Sequence, residues 1–210
     1  MKRWAAVTVA LYLLCLSGVA VPLVWWLVDK PPDFLEIFYG FLVPVLLAVQ
    51  AVLLAVPVST ATGRPVGRRM VRSAAILGAL PMGLLLGLFV WCAALLLWGE
   101  KGTDRDWFGW TLLATSVGGW VFWGVVFHRC YSSDDPRRFT TRIARRLLAG
   151  SILETLVAIP SHVVARQRED CCAPAITLMG IVTGLSVALL AFGPATFLLI
   201  ADRVRAKRRA

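Results

Sequence analysis

The chain has 210 residues, of which 59% are hydrophobic and 16% are charged, and its formal net charge is +10. A soluble protein of this length cannot bury so much apolar surface, so a soluble globular protein is excluded. The segments between the apolar runs are too short for a folded basic domain, so the positive charge does not indicate nucleic-acid binding.

Six apolar runs are long enough to cross a bilayer as helices, since about 20 apolar residues span its hydrocarbon core. In chain order they cover residues 4–28, 37–58, 73–98, 107–127, 147–164 and 173–200. The fifth run is the shortest of the six. We therefore predict an all-α, polytopic membrane protein in which residues 1–210 form a single membrane domain.

The basic residues fall mainly into alternate connecting segments. With six spans and a cytoplasmic N-terminus, 17 of the 22 Lys and Arg residues lie on the cytoplasmic side. The five others are Lys30, Lys101, Arg105, Arg166 and Arg168. This distribution follows the positive-inside rule, so we expect both termini in the cytoplasm and the protein in the plasma (inner) membrane of a bacterium.

A basic segment, residues 136–146, precedes the fifth run. Phe139, Ile143 and Leu147 recur every four residues and form one apolar face of a helix. The arginines on the other faces are Arg137, Arg138, Arg142, Arg145 and Arg146. We predict a cytoplasmic amphipathic segment whose arginines contact anionic lipid headgroups. The alternative is an ordinary basic flank of a membrane span.

The fifth run carries Ser151, Glu154, Thr155 and His162 on one helical face. Glu154 is the only acidic residue well inside a predicted span. An ionised carboxylate in hydrocarbon is costly, so this group must be protonated, paired or exposed to water. His162 lies about 12 Å further along the helix axis, so a water or a third group must connect the two. The face predicts a proton or cation path, or else polar groups that are satisfied within the fold.

A pair of cysteines, Cys171 and Cys172, stands directly before Ala173-Pro174, where the last apolar run begins. A helix N-terminus favours the negatively charged thiolate. Thiolates bind soft cations such as Hg(II), Cu(I) and Zn(II). Together with His162, the pair predicts a soft-metal site. The alternative is two small buried residues without a ligand.

The segment that begins Cys171-Cys172-Ala173-Pro174 continues with Gly180-Ile181 and Gly184-Leu185. It resembles the vicinal-cysteine membrane segment of bacterial mercuric-ion transport proteins. In that family, a cysteine pair near the outer end of a helix accepts Hg(II) and passes it inward. The resemblance implies that Cys171 and Cys172 take up the metal. The family's pair usually stands on the first helix, whereas here it stands on the last.

The last run also carries small residues at four-residue spacing, Gly180, Gly184 and Ala188. Such a face lets another helix approach closely. That helix belongs either to the same chain, to a second copy of it, or to a partner membrane protein.

The chain has no phosphate-binding glycine loop and no HExxH, GxSxG or CxxC motif. We therefore predict that it is not an enzyme, that it has no catalytic residues, and that a soft metal is its only candidate cofactor. The first interpretation is a non-catalytic membrane subunit or scaffold. The alternative is a small cation or soft-metal transporter or sensor that uses Cys171, Cys172, His162 and Glu154. A second alternative is an intramembrane enzyme that acts on lipid.

Overall fold

The computed structural model describes residues 2–27, 34–36, 38–62, 66–103, 105–130, 136–168 and 172–207, and this part of the chain is helical without strands. A π-helical turn, Phe38–Leu42, leads into the second long helix. The helices are α1 Lys2–Leu27, α2 Val43–Ala61, α3 Arg68–Trp98, α4 Glu100–Thr103, α5 Asp106–Arg129, α6 Pro136–Gln167 and α7 Ala173–Lys207.

The prediction of six apolar helices is confirmed. Six stretches of helix are long and apolar enough to cross a membrane: Arg3–Trp25, Phe34–Ala61, Arg68–Trp98, Trp107–Arg129, Arg138–Gln167 and Ala173–Val204. The fifth differs most from the predicted range, 147–164, because α6 begins at Pro136 and continues to Gln167 without a break.

The basic segment 136–146 is the first part of α6 and continues directly into the fifth apolar run. Its predicted apolar face forms, since Phe139, Ile143 and Leu147 are at most 2% exposed. These three side chains belong to the main hydrophobic core of the bundle. The face therefore packs against other helices of the chain.

The most buried of the six is α7. It contacts α1, α2, α3 and α6, and 61% of the residues in its most apolar 18-residue stretch are buried. By contrast, α5 is packed mainly against α3, and only 11% of the residues in its most apolar 18-residue stretch are buried. The bundle therefore has α7 near its centre and α5 at its outer surface.

Glycines set the close approach of α3 to α5. A Cβ atom at Gly83 would lie 2.6 Å from the carbonyl oxygen of Ser116 and 2.9 Å from Cβ of Trp120. The indole N–H of Trp120 donates to the carbonyl oxygen of Ile76 at 2.8 Å. Backbone contact at a small residue is a common way for apolar helices to associate.

The small-residue face of α7 is used in the same way within the chain. A Cβ atom at Gly180 would lie 2.9 Å from Glu154 Oε1, and one at Gly184 would lie 2.7 Å from Thr155 Oγ1. Ala188 is half-buried. Gly180 and Gly184 thus pack against α6, and contact of this face with a second copy or a partner protein stays a prediction.

Polar contacts connect one end of α3 to the ends of α6 and α7. Gly99 follows α3 with φ of 69° and ψ of −174°, a backbone conformation that is essentially restricted to glycine. Arg168 donates to the carbonyl oxygen of Leu95 at 3.2 Å. Glu100 Oε1 accepts from the backbone N–H of Cys172 at 3.1 Å, where a carboxylate is favourable at the start of α7.

Candidate cation site

Glu154 lies where α6 meets α3 and α7. Its side chain is 1% exposed. Gly180 of α7 leaves the room it occupies, since a Cβ atom there would be 2.9 Å from Glu154 Oε1 and 3.0 Å from Cys92 Sγ. The carboxyl group of α6 and the thiol of α3 are therefore neighbours at this glycine. A side chain at position 180 would displace one or both.

Neither carboxyl oxygen of Glu154 has a partner at ordinary hydrogen-bond geometry among the residues that the structure describes. The Cys92 thiol beside it is a weak donor and interacts with the carboxyl group only loosely. The hydroxyl groups expected nearby are used elsewhere. Ser151 Oγ donates to the carbonyl oxygen of Leu148 at 2.8 Å, and Thr155 Oγ1 donates to that of Ser151 at 2.7 Å. Serine and threonine commonly return their hydroxyl hydrogen to the preceding helical turn in this way. These two hydroxyls therefore do not satisfy the carboxyl group.

A cavity of about 200 Å³ lies beside Glu154, between α3, α5 and α6. Its lining residues are Met82, Leu85, Leu86, Phe89, Trp123, Gly150, Leu153 and Glu154. Leu86 is 37% exposed and Leu153 is 60% exposed, so the cavity opens on the outer surface of the bundle. Glu154 is the only ionisable residue in the lining. The site thus combines one carboxyl group with apolar and aromatic walls.

His162, at 5% exposure, lies further along the same buried face of α6. Its Nδ1 atom is 2.9 Å from Thr177 Oγ1 and 3.1 Å from the carbonyl oxygen of Pro174. Because a carbonyl oxygen only accepts, we assign the hydrogen of the neutral ring to Nδ1. Nε2 is then an acceptor, and it is buried without a partner in the described part of the chain.

The predicted polar face exists, but its two ionisable groups remain apart. Ala158, between Glu154 and His162, is 0% exposed and packs with Cys92 and Ile181 in an apolar cluster. The face of α6 is therefore interrupted by apolar contacts. It does not form a continuous row of polar groups from His162 to Glu154.

Of the cysteine pair, only Cys172 belongs to the part of the chain that the structure describes. Cys171 lies outside the described residues, and Cys172 is exposed at the start of α7. Over the described ranges, no three His, Cys, Asp or Glu side chains are grouped so that they could hold a metal ion. The predicted soft-metal site includes Cys171, so it stays a prediction.

The basic face of α6 is exposed where its side chains are described. Arg138, Arg142, Arg145 and Arg146 are all exposed, and the side chain of Arg137 lies outside the description. The guanidinium carbon of Arg146 lies 5.5 Å from the ring centroid of Trp123, a cation–π contact between α6 and α5. Arg146 therefore also contributes to helix packing. The predicted contact of these arginines with lipid headgroups stays a prediction.

Cys92 could not be connected with Glu154 from the sequence, since a cysteine within an apolar run is usually an ordinary small residue. Ser161 was missed as well: its Oγ donates to the carbonyl oxygen of Cys92 at 2.9 Å and joins α6 to α3.

Comparisons of this chain with known protein families, curated proteins and solved structures gave no match. Its function is therefore argued from the chemistry of the site.

Proposed function

We propose that the protein crosses the plasma membrane of a bacterium six times, with both termini in the cytoplasm, and transports a cation that binds at Glu154. The six apolar helices and the distribution of the 22 Lys and Arg residues support the topology. One observation carries the function: a buried carboxyl group, whose polar neighbour in the described chain is only the weak thiol donor of Cys92, borders a cavity open at the bundle surface.

The ligands at hand favour some cations over others. Ca²⁺ takes six to eight oxygen ligands and Mg²⁺ an octahedral set, whereas Glu154 is the only ionisable residue in the cavity lining. A soft metal prefers several thiolates, and Cys92 offers one. A proton needs one carboxylate. A hydrophobic organic cation needs one opposite charge and apolar walls, which this cavity provides.

An exchange of these two cations follows from the charge of the site. An ionised, unpaired carboxylate is costly in apolar surroundings, so Glu154 holds a proton when the cavity is empty. A hydrophobic cation enters from the lipid past Leu86 and Leu153 and pairs with the carboxylate as the proton leaves. The aromatic ring of Phe89 adds attraction for the cation, whereas the ring of Trp123 already contacts the guanidinium group of Arg146. Glu154 then holds either a proton or the organic cation, but not both, which couples release of the cation to uptake of a proton.

Equilibrium binding of tetraphenylphosphonium to the purified full-length protein in detergent tests this proposal. We expect saturable binding that weakens as the pH falls, with release of about one proton per bound cation into a weakly buffered solution. Glu154→Gln keeps the shape of the side chain and removes its charge, so it should abolish saturable binding. Glu36→Gln is the matched control, because Glu36 is exposed, and it should bind like the original protein.

Two results would overturn the proposal. One is equal binding by the Glu154→Gln variant and the original protein, which would place the cation elsewhere. The other is the absence of saturable binding and of coupled proton release in a protein that is folded by circular dichroism.

A soft-metal transporter is the second candidate. Two observations favour it. Cys172 is exposed at the start of α7, and the Nε2 atom of His162 is buried without a hydrogen-bond partner among the described residues. His162 contacts the first turns of that same helix through Pro174 and Thr177. In this reading, Cys171 and Cys172 accept the metal at the outer surface and His162 receives it next.

Thiol labelling in intact cells tests both the orientation and the metal. The variant keeps Cys171 and Cys172 and replaces Cys15, Cys92 and Cys130 by alanine. We expect a membrane-impermeant maleimide to label it from outside, and a low micromolar concentration of Hg(II), Cu(I) or Zn(II) to block labelling. Labelling only after cell lysis would contradict the orientation. Labelling that none of the metals blocks would remove the soft-metal candidate.

The other interpretations keep a weaker basis. The scaffold interpretation relied on the face of Gly180 and Gly184, which packs against α6 within the chain. The intramembrane enzyme interpretation relied on Glu154 together with His162, and Ala158 separates these two residues along α6. We therefore place cation transport ahead of both.

A further inference from the structure

A larger cavity, of about 540 Å³, lies between α3 and α5 and shares no lining residue with the cavity beside Glu154. Its lining residues are Arg72, Ala75, Ile76, Trp120, Val121, Gly124, Val125, His128 and Arg129. We call it the α3–α5 groove. It takes no part in the cation exchange proposed above.

The basic residues of the groove are gathered at one end. Arg72 lies near the start of α3, whereas His128 and Arg129 lie in the last turn of α5. All three side chains are exposed, and neither arginine forms an ion pair with another described residue. Two guanidinium groups that line the same groove and have no ion pair within the described residues fit a phosphate group, which arginine binds through paired hydrogen bonds.

The rest of the groove is apolar. Ile76, Val121 and Val125 are all exposed on its walls. The Trp120 indole is fixed by its hydrogen bond to the carbonyl oxygen of Ile76. Gly124 leaves space, because a Cβ atom there would meet only Cβ of Ala79, at 3.9 Å. This part offers room for a hydrocarbon chain that lies along α5.

We propose that the α3–α5 groove binds an anionic phospholipid of the cytoplasmic leaflet, with its phosphate between Arg72 and Arg129 and an acyl chain along Val121, Gly124 and Val125. The charge of the groove selects an anionic head, and its apolar length selects a lipid over a soluble anion. In the topology proposed above, Arg72 and Arg129 lie at the cytoplasmic side, where basic pockets between helices bind anionic headgroups. This site is separate from the arginines of α6.

Native mass spectrometry of the purified full-length protein, titrated with phosphatidylglycerol or phosphatidylcholine, tests the proposal. The double variant Arg72→Gln/Arg129→Gln should weaken phosphatidylglycerol binding about tenfold or more and affect phosphatidylcholine much less. The matched control, Arg68→Gln/Arg69→Gln, removes the same charge from exposed residues outside the groove and should change neither.

A second variant separates the lipid from a free anion. Gly124→Leu fills the apolar part without a change in charge, so it should weaken phosphatidylglycerol binding while inorganic phosphate competes poorly with the lipid. Equal losses in the groove and control double variants would overturn the proposal. So would unchanged lipid binding by Gly124→Leu, or displacement of the lipid by millimolar inorganic phosphate. Thermal unfolding of each variant confirms that folded protein is compared.

Discussion

Gly180 of α7 lies directly against the carboxyl group of Glu154: a Cβ atom on this glycine would be 2.9 Å from Oε1. The same atom would lie 3.0 Å from Cys92 Sγ and 3.2 Å from Cβ of Ala158. Side chains from α3 and α6 thus enclose the glycine. The absence of a side chain at position 180 is what lets the buried carboxyl group fit between the helices.

Gly180→Ala should therefore destabilise the bundle by about 1–3 kcal/mol, the usual cost of overpacking a well-filled core. It should also weaken cation binding at Glu154, because the carboxyl group must move. The measurement is the free energy of unfolding in sodium dodecyl sulfate, followed by tryptophan fluorescence, together with tetraphenylphosphonium binding.

Gly118→Ala on α5 is the control for that change. A Cβ atom at Gly118 would have no neighbour within 4 Å, so alanine should be neutral or slightly stabilising. Equal stability of the two variants would show that the contact of Gly180 with Glu154 is not as close as described.

The sequence predicts the helices well because apolar length and helical spacing depend on neighbouring residues in the chain. It limits the fifth apolar run to residues 147–164, because the arginines of residues 136–146 lower the apolar content, and the helix that contains this run also covers those residues. Helix continuity depends on spacing, and the buried residues Phe139, Ile143 and Leu147 continue in register to Ser151. The helix therefore begins at Pro136.

The candidate site is predicted in part for the same reason. The buried face of Ser151, Glu154 and His162 follows from their spacing on one helix. The neighbours of Glu154 come from other helices: Cys92 from α3 and Gly180 from α7. No spacing within α6 identifies them, because helix packing decides which residues of separate helices meet.

Arg168 joins the end of α6 to the last turn of α3. Its guanidinium group donates to the carbonyl oxygens of Leu95 at 3.2 Å and Leu96 at 3.5 Å. The carbonyl oxygen of Leu95 also accepts from the backbone N–H of Gly99 at 3.0 Å, and the partial negative charge at the end of a helix favours a positive charge. Arg168→Gln should lower the free energy of unfolding by about 1 kcal/mol, because this contact is partly exposed.

Arg166→Gln is the matched control, since Arg166 is also exposed near the end of α6. It removes the same charge and should change stability less. Hydrogen–deuterium exchange of residues 96–100 should rise in the Arg168 variant alone. Equal exchange in the two variants would mean that the guanidinium group does not hold the end of α3.

Gln50 of α2 is 0% exposed, and both its amide nitrogen and its amide oxygen lack a partner within the described residues. It faces Gly193 of α7, where a Cβ atom would overlap the amide nitrogen. A buried amide without hydrogen bonds costs about 1–3 kcal/mol, so its removal should stabilise the protein. Methionine has nearly the same shape, so Gln50→Met should raise the free energy of unfolding by about 1–2 kcal/mol.

Gln167→Met, at the exposed end of α6, controls for the substitution itself and should have little effect. A loss of stability in Gln50→Met alone would mean that the amide is hydrogen-bonded in the membrane, with water or another polar group between α2 and α7.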